Sequence, residues 1–428
     1  MNLLNAFYTS VSATTVSSLG VVPMQDLSEL QLVVLVILMF LGGEVFTSML
    51  CLHLTRLGLW LRLHDSNKFL QERNMDGIEM ADPDITRNNR SHDISVPEPG
   101  DNLRMEFDMI VKNNEIEVYP NKDNSEGEYG IEYEALRRLG YISLLYLGLV
   151  QISGIAAVAI YFIFSSSGKH ILGSRGIRIS TFAVFTVVSS FANCGFTPLN
   201  ENMYPFRKHH GLLLMIVAFQ ILVGNTMFAP CFRALVCSIS RFTKHGRVYD
   251  YILMDKNGGR LYPHLFSSRK CVWLTFTVVG FVAVEMVLLL ALHWNSEALE
   301  GLSTLEKLIG GVFQSVAIRH AGENVVNPEL LSATVIVLYV IMMYLPPYPL
   351  YMEGDAKNVK PLPKTRGEES AKSNSSHDES ISMQFEKLFL HDLCYLIIAV
   401  MLICITERDK LIQDPLNFKV VNIVFEVA

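Results

Sequence analysis

Hydrophobic and polar positions segregate along this chain into long alternating blocks. Residues 30–52 carry one charge, Glu44, and residues 139–165 and 211–232 carry none. Residues 271–294 carry only Glu285, and 330–352 are uncharged but broken late by Pro346, Pro347 and Pro349. The sixth block, 388–406, has His391 and Asp392 near its start. A bilayer core of about 30 Å needs roughly 20 apolar residues in helical form. Six such blocks in order predict a polytopic all-α membrane protein. Between them, 53–138, 233–270 and 353–387 are polar and rich in Lys and Arg. The positive-inside rule places these three in the cytoplasm. The last is also rich in Ser and Glu, a composition that predicts disorder.

The connections on the opposite side are moderately apolar, rich in Ser, Thr, Phe and Gly, and too short to span. That is the pattern of a re-entrant helix and loop. Three of them resemble one another, at 7–19, 185–196 and 313–323, each ending in a small residue: Ser18, Gly195 and Gly322. A helix-weakening site follows each at similar spacing: Gly42 and Gly43, then Gly224, then Pro346 and Pro347. The predicted unit is span, pore helix, small-residue loop, span. Carbonyls of extended loops can replace the water shell of a monovalent cation, so such units around one axis predict a pore.

Composition agrees with a lipid environment. Half of the 428 residues are hydrophobic and 18 % are charged, where a soluble protein carries about 25 %. A net charge of −7 gives no basic footprint, so nucleic acid is not a predicted partner. Seven cysteines form no CxxC pair and read as small buried hydrophobes. Residues 1–20 show no cleavable leader. The sequons at Asn89 and Asn374 fall in the predicted cytoplasmic segments. No nucleotide-binding loop is present, which leaves an ATP-driven pump unsupported, and no acid, base or metal cluster supports an enzyme.

The runs 40–44 (Phe-Leu-Gly-Gly-Glu), 192–203 (from Ala-Asn-Cys-Gly-Phe to Asn-Met), 222–226 (Leu-Val-Gly-Asn-Thr), 319–323 (Arg-His-Ala-Gly-Glu) and 344–348 (Tyr-Leu-Pro-Pro-Tyr) closely resemble the plant high-affinity potassium transporter (HKT) family of the Trk/Ktr superfamily. The resemblance implies passive movement of monovalent cations across the plasma membrane, four filter segments around a pseudo-fourfold pore, no cofactor, and a homodimer. It implies filter turns at Ser18, Gly195 and Gly322. The carbonyls of Val16, Ser17, Asn193, Cys194, His320 and Ala321 would line the ion path. A serine at the first turn marks the sodium-selective subclass, so Na+ rather than K+ is the implied cargo.

Other polar residues near these motifs carry two readings each. Glu44 and Glu285 lie inside spans, where ionisable residues are functional by default, or they pair between repeats. Arg319 and His320 read as props of the third loop. Glu201 and Glu323 either draw cations to the outer mouth or are simply solvated. His209 and His210, adjacent in sequence, have poor metal-ligand spacing.

The predicted organisation is a first repeat at 1–52, a second at 139–232, a third at 271–352 and the start of a fourth at 388–428. Cytoplasmic segments occupy 53–138, 233–270 and 353–387. The resemblance implies eight spans and four pore loops, so this stretch is expected to hold six spans and three filters, incomplete at both ends. The alternative expectation is a truncated, non-transporting product that associates with full-length relatives and interferes with them.

Overall fold

The computed structural model describes residues 3–79, 125–243, 246–254, 261–344, 395–396, 399–400, 402–403, 406 and 420–427. Regular structure among them is helical throughout. The stretch predicted as the first repeat carries α1 (Leu3–Thr14), α2 (Glu29–Gly42) and the start of α3 (Glu44–Glu79). The stretch predicted as the second carries most of α4 (Ser125–Phe164), then α5 (Ser166–Ser174), α6 (Ile179–Ala192), α7 (Gly211–Gly224) and the start of α8 (Phe228–Phe242), with α9 (Gly246–Leu253) after it. The stretch predicted as the third carries α10 (Ser268–His293), α11 (Thr304–His320) and α12 (Ala333–Tyr344). A final helix, α13, covers Val420–Val427.

Among the described residues, 53–79 and 125–137 form one compact unit and the others form a second. In the smaller unit Arg56 lies 5.6 Å from the centre of the Tyr133 ring, and Arg137 pairs with Glu134 at 3.5 Å. The polar segment 53–138 therefore begins and ends as helix, because α3 and α4 continue well past their apolar stretches. Pro346, Pro347, segment 353–387 and most of 388–406 lie outside the described residues.

In the larger unit, helices α4 and α10 are each long and apolar enough to cross a bilayer, and three further pairs are so as bent units. The bends are 57° between α2 and α3, 93° between α5 and α6, and 82° between α7 and α8. Capping fixes where several of these helices start. Ser28 and Gln31 form a reciprocal capping box on α2, as do Ser303 and Glu306 on α11, satisfying backbone donors that a helix start leaves open.

Burial separates two kinds of helix. On α10, Leu274, Val278, Glu285 and Leu289 face protein, whereas Phe276 and Val279 are 67 % and 60 % exposed. An apolar outer face of that size on several helices is a lipid-facing surface, not one made for water. By contrast, α6 buries ten of its residues between Phe182 and Ala192, and α11 buries Gly310, Gly311 and everything from Phe313 to Ile318. A helix apolar and buried all round belongs inside the protein.

These inner helices are placed by a repeated contact. The second span of each repeat packs on its own inner helix: α2 on α1, α7 on α6, α12 on α11. It also packs on a helix farther along the chain: α2 on α6, α7 on α11, α12 on α13. The same pair of contacts thus recurs three times along the chain.

Candidate functional site

Three turns leave the C-terminal ends of α1, α6 and α11 and meet. In the first, Val16 and Ser18 have φ of 51° and 63°, and in the second Asn193 and Gly195 have 60° and 75°. In both turns the left-handed residues stand two apart, with a residue of negative φ between them. The same backbone bond closes both turns: Ser17 N–H to Ser12 O at 3.0 Å and Cys194 N–H to Ser189 O at 2.9 Å. The third turn runs one residue later. His320 is the last residue of α11, the closing bond comes from Gly322 N–H to Ala317 O at 2.7 Å, and Gly322 alone has a positive φ, 74°.

The three small residues converge. A Cβ on Gly195 would collide with the Ala321 carbonyl and stand 2.5 Å from Ser18 Oγ. A Cβ on Gly322 would meet Ser18 Oγ at 3.1 Å. The Ser18 hydroxyl faces two carbonyl acceptors, Cys194 O in a short contact and Ala321 O at 3.2 Å. Carbonyls that sequence reading assigned to the second and third loops thus surround one side chain of the first. Outside them, Ser18, Gly195, Pro23, Asn200 and Asn202 help line a cleft of about 440 Å³.

Glycines bring the spans up against the turns. α2 ends at Gly42 and α3 begins at Glu44, with Gly43 extended between them (φ −61°, ψ 139°). A Cβ on Gly42 would run into the Thr14 carbonyl at the end of α1. α7 ends at Gly224, whose Cβ would run into the Phe191 carbonyl at the end of α6. Two different repeats use the same device: the glycine at the break lets the span touch the backbone that carries the turn. In the third repeat Arg319 does comparable work from the other side. Its guanidinium donates to the Met342 carbonyl near the end of α12 and lies 4.7 Å from the Phe281 ring centre.

The polar residues near these motifs differ widely in burial. Glu323 is fully buried, with Ser190 Oγ donating to its Oε1 at 2.6 Å, so it is neither solvated nor at an open mouth. Glu201 is exposed and pairs with Arg175 at 2.5 Å. Glu44 is exposed at the first turn of α3, where the helix dipole favours an anion. Glu285 is fully buried and neither of its oxygens has a hydrogen-bond partner. His210 is buried, its Nδ1 2.6 Å from Tyr161 OH, while the adjacent His209 stands exposed beside Glu306. Cys194 and Cys271 are buried as predicted, but Cys51 is exposed.

Three residues of the scaffold carried no sequence signal. Gln314 on α11 accepts from the N–H groups of Val325 and Val326 at 2.9 and 3.0 Å and donates to Asn324 at 2.9 Å. Arg233 on α8 donates to Phe266 O at 2.5 Å, Ser268 Oγ at 3.1 Å and Leu253 O at 3.4 Å, which fastens the segment before α10. Ser12 accepts from Leu19 N–H at 2.9 Å and braces the first turn.

Spans that alternate with shorter helices and convergent turns define a polytopic helical membrane protein. The chain belongs to the family described as TrkH, cation transport protein, whose match covers residues 107–428. It is 38 % identical to the rice (Oryza sativa subsp. japonica) cation transporter HKT1;3 over 99 % of this chain and 73 % of that protein. It is also 38 % identical to the Arabidopsis thaliana sodium transporter HKT1, over 98 % of this chain and 75 % of that protein. The probable cation transporter HKT1;4 of rice is 36 % identical over 99 % of this chain and 78 % of that protein.

Proposed function

We propose that this chain mediates passive, sodium-preferring cation transport across the plasma membrane, with Ser18, Gly195 and Gly322 as its filter turns. The observation that carries the preference is the Ser18 hydroxyl placed between Cys194 O and Ala321 O. Where the other two turns have a hydrogen, the first inserts a donor among the carbonyls. A carbonyl that accepts from serine offers one fewer lone pair to a naked cation. K+ needs a full ring of such oxygens to replace its water. Na+, smaller and able to keep part of its shell, tolerates the loss. The carbonyls of Val16, Ser17, Asn193, Cys194, His320 and Ala321 line the path, and the breaks at Gly42, Gly43 and Gly224 seat the spans behind it. Among relatives, the 38 % identical Arabidopsis protein is named a sodium transporter, which supports the same reading. A homodimer in the bilayer is part of this proposal.

The test is Ser18→Gly with reversal potentials measured in sodium and potassium baths in oocytes. Removing the hydroxyl should lower the sodium-to-potassium permeability ratio by about tenfold, a 1.4 kcal/mol change in relative barrier. An unchanged ratio in a conducting variant overturns the filter assignment. A wild-type chain that carries no sodium current overturns the transport reading.

A further inference from the structure

We propose that Glu323 is a positioning residue for the ion path, holding the third turn in place through Ser190 on the inner helix of the second repeat. This rests on the three turns being the filter.

The geometry is that of a strut between repeats. Glu323 follows Gly322 directly and is 0 % exposed, as is Ser190. Ser190 Oγ donates to Glu323 Oε1 at 2.6 Å. The Ser190 carbonyl in turn accepts from Asn193 N–H at 3.2 Å, the first left-handed residue of the second turn. One serine therefore grips the second turn through its backbone and the third through its side chain. The two turns are then closely opposed, since the Ala321 carbonyl lies where a Cβ of Gly195 would be. Farther out, Met203 N–H donates to Asn324 O at 3.1 Å and continues the same seam.

The third turn has a separate anchor within its own repeat. Gln314 holds Asn324, Val325 and Val326, and Asn324 Nδ2 donates to Gly322 O at 3.2 Å. Gln314 thus sets the outer limb, and Glu323 sets how far the turn stands from its neighbour. The other turns have no such carboxylate, because Leu19 follows Ser18 and Phe196 follows Gly195. A buried carboxyl in this position fixes distance between repeats, and that distance governs how many carbonyls a bare cation can reach.

The experiment compares Glu323→Ala, Glu323→Gln, Ser190→Ala and the double alanine variant, with Ser18→Gly in parallel. Sodium and potassium currents are recorded at matched surface expression. Ion-dependent thermal stabilisation of the detergent-purified chain, in sodium against potassium chloride, is the second readout. Glu323→Ala and Ser190→Ala should each lower the sodium-to-potassium ratio by about fivefold, and the double variant should fall no further. Glu323→Gln keeps the oxygen that Ser190 donates to and should return to within about twofold of wild type.

A merely structural role lowers the amount of protein and leaves the ratio alone, which would overturn the proposal. So would single effects that multiply in the double variant, or a Gln variant as poor as Ala. If Glu323→Ala does not reach the membrane, Ser190→Ala decides, since it removes one hydroxyl. A ratio that moves in Ser18→Gly but not in the strut variants refutes the strut and leaves the filter standing. A ratio that moves in neither refutes both.

Discussion

The first and second turns share a backbone and differ in what stands on it. Both place left-handed residues two apart and both close on a serine carbonyl in the last turn of the inner helix. The second uses residues suited to that shape, since Asn tolerates the left-handed region and Gly has no Cβ to oppose it. The first uses Val16 and Ser18, for which the same shape costs roughly 1–2 kcal/mol each. Strain held at two neighbouring positions is characteristic of functional sites. The fold imposes the turn, and the side chain then decides whether a hydroxyl meets the Cys194 and Ala321 carbonyls. Serine is accepted in the first turn because its side chain points into the space that glycine leaves empty in the second and third.

The sharpest way to break this symmetry is to move the serine. Gly195→Ser puts a Cβ on the Ala321 carbonyl, which is backbone and cannot swing aside. Transport should fall by more than about tenfold, against a tolerated serine in the first turn, because overpacking against fixed atoms is not relieved by a rotamer change. Matched surface expression with wild-type current would refute the opposed arrangement of these turns. Gly224→Ala comes next, since its methyl meets the Phe191 carbonyl. Thermal unfolding in detergent should show a loss of about 1–3 kcal/mol, although alanine improves helix propensity by nearly 1 kcal/mol. A stabilised variant would mean that α7 does not press on α6.

Gly322→Ser should be milder than Gly195→Ser. Its Cβ meets the movable end of Ser18 at 3.1 Å, leaving mainly the left-handed penalty of about 1 kcal/mol, or roughly fivefold in current. Equal damage at both glycines would show that the third turn is packed as tightly as the second. The smallest effect concerns pH at the outer end of α11. Hydrogen bonds from Ser303 N–H at 2.8 Å and His209 N–H at 2.7 Å hold the Glu306 carboxyl below its ordinary range. A depressed folded pKa stabilises above the unfolded value and is lost as acid titrates the folded carboxylate. Unfolding midpoints should therefore drop below about pH 4.5 in wild type, and Glu306→Gln should show a shallower drop over the same range.

Much of the architecture was legible because lipid makes hydropathy a strong signal. The block 139–165, uncharged, and the block 271–294, with Glu285 alone, fall in α4 and α10 except for one residue at the end of each. The small residues Ser18, Gly195 and Gly322 were found from their place at the ends of similar segments. Register was less legible. Phe185 and Phe313 are fully buried while Phe7, aligned with them, is 68 % exposed. The turns leave their helices at slightly different points, and a low-complexity apolar run does not encode that offset. Glu323 was misread because a carboxylate beside a loop glycine gives no local sign of burial. Its partner Ser190 lies 133 residues away.

The sequence by itself determined the solvent, the repeating unit and the three small residues at the turns, because periodic apolar stretches and glycine have local physical consequences. Only the tertiary structure decided that the three turns meet, that the Ser18 hydroxyl faces carbonyls of two other repeats, and that Glu323 lies behind the third turn. Those facts depend on distances between segments far apart in the chain. They are set by packing of α2, α7 and α12 on successive inner helices, which no single stretch of residues specifies.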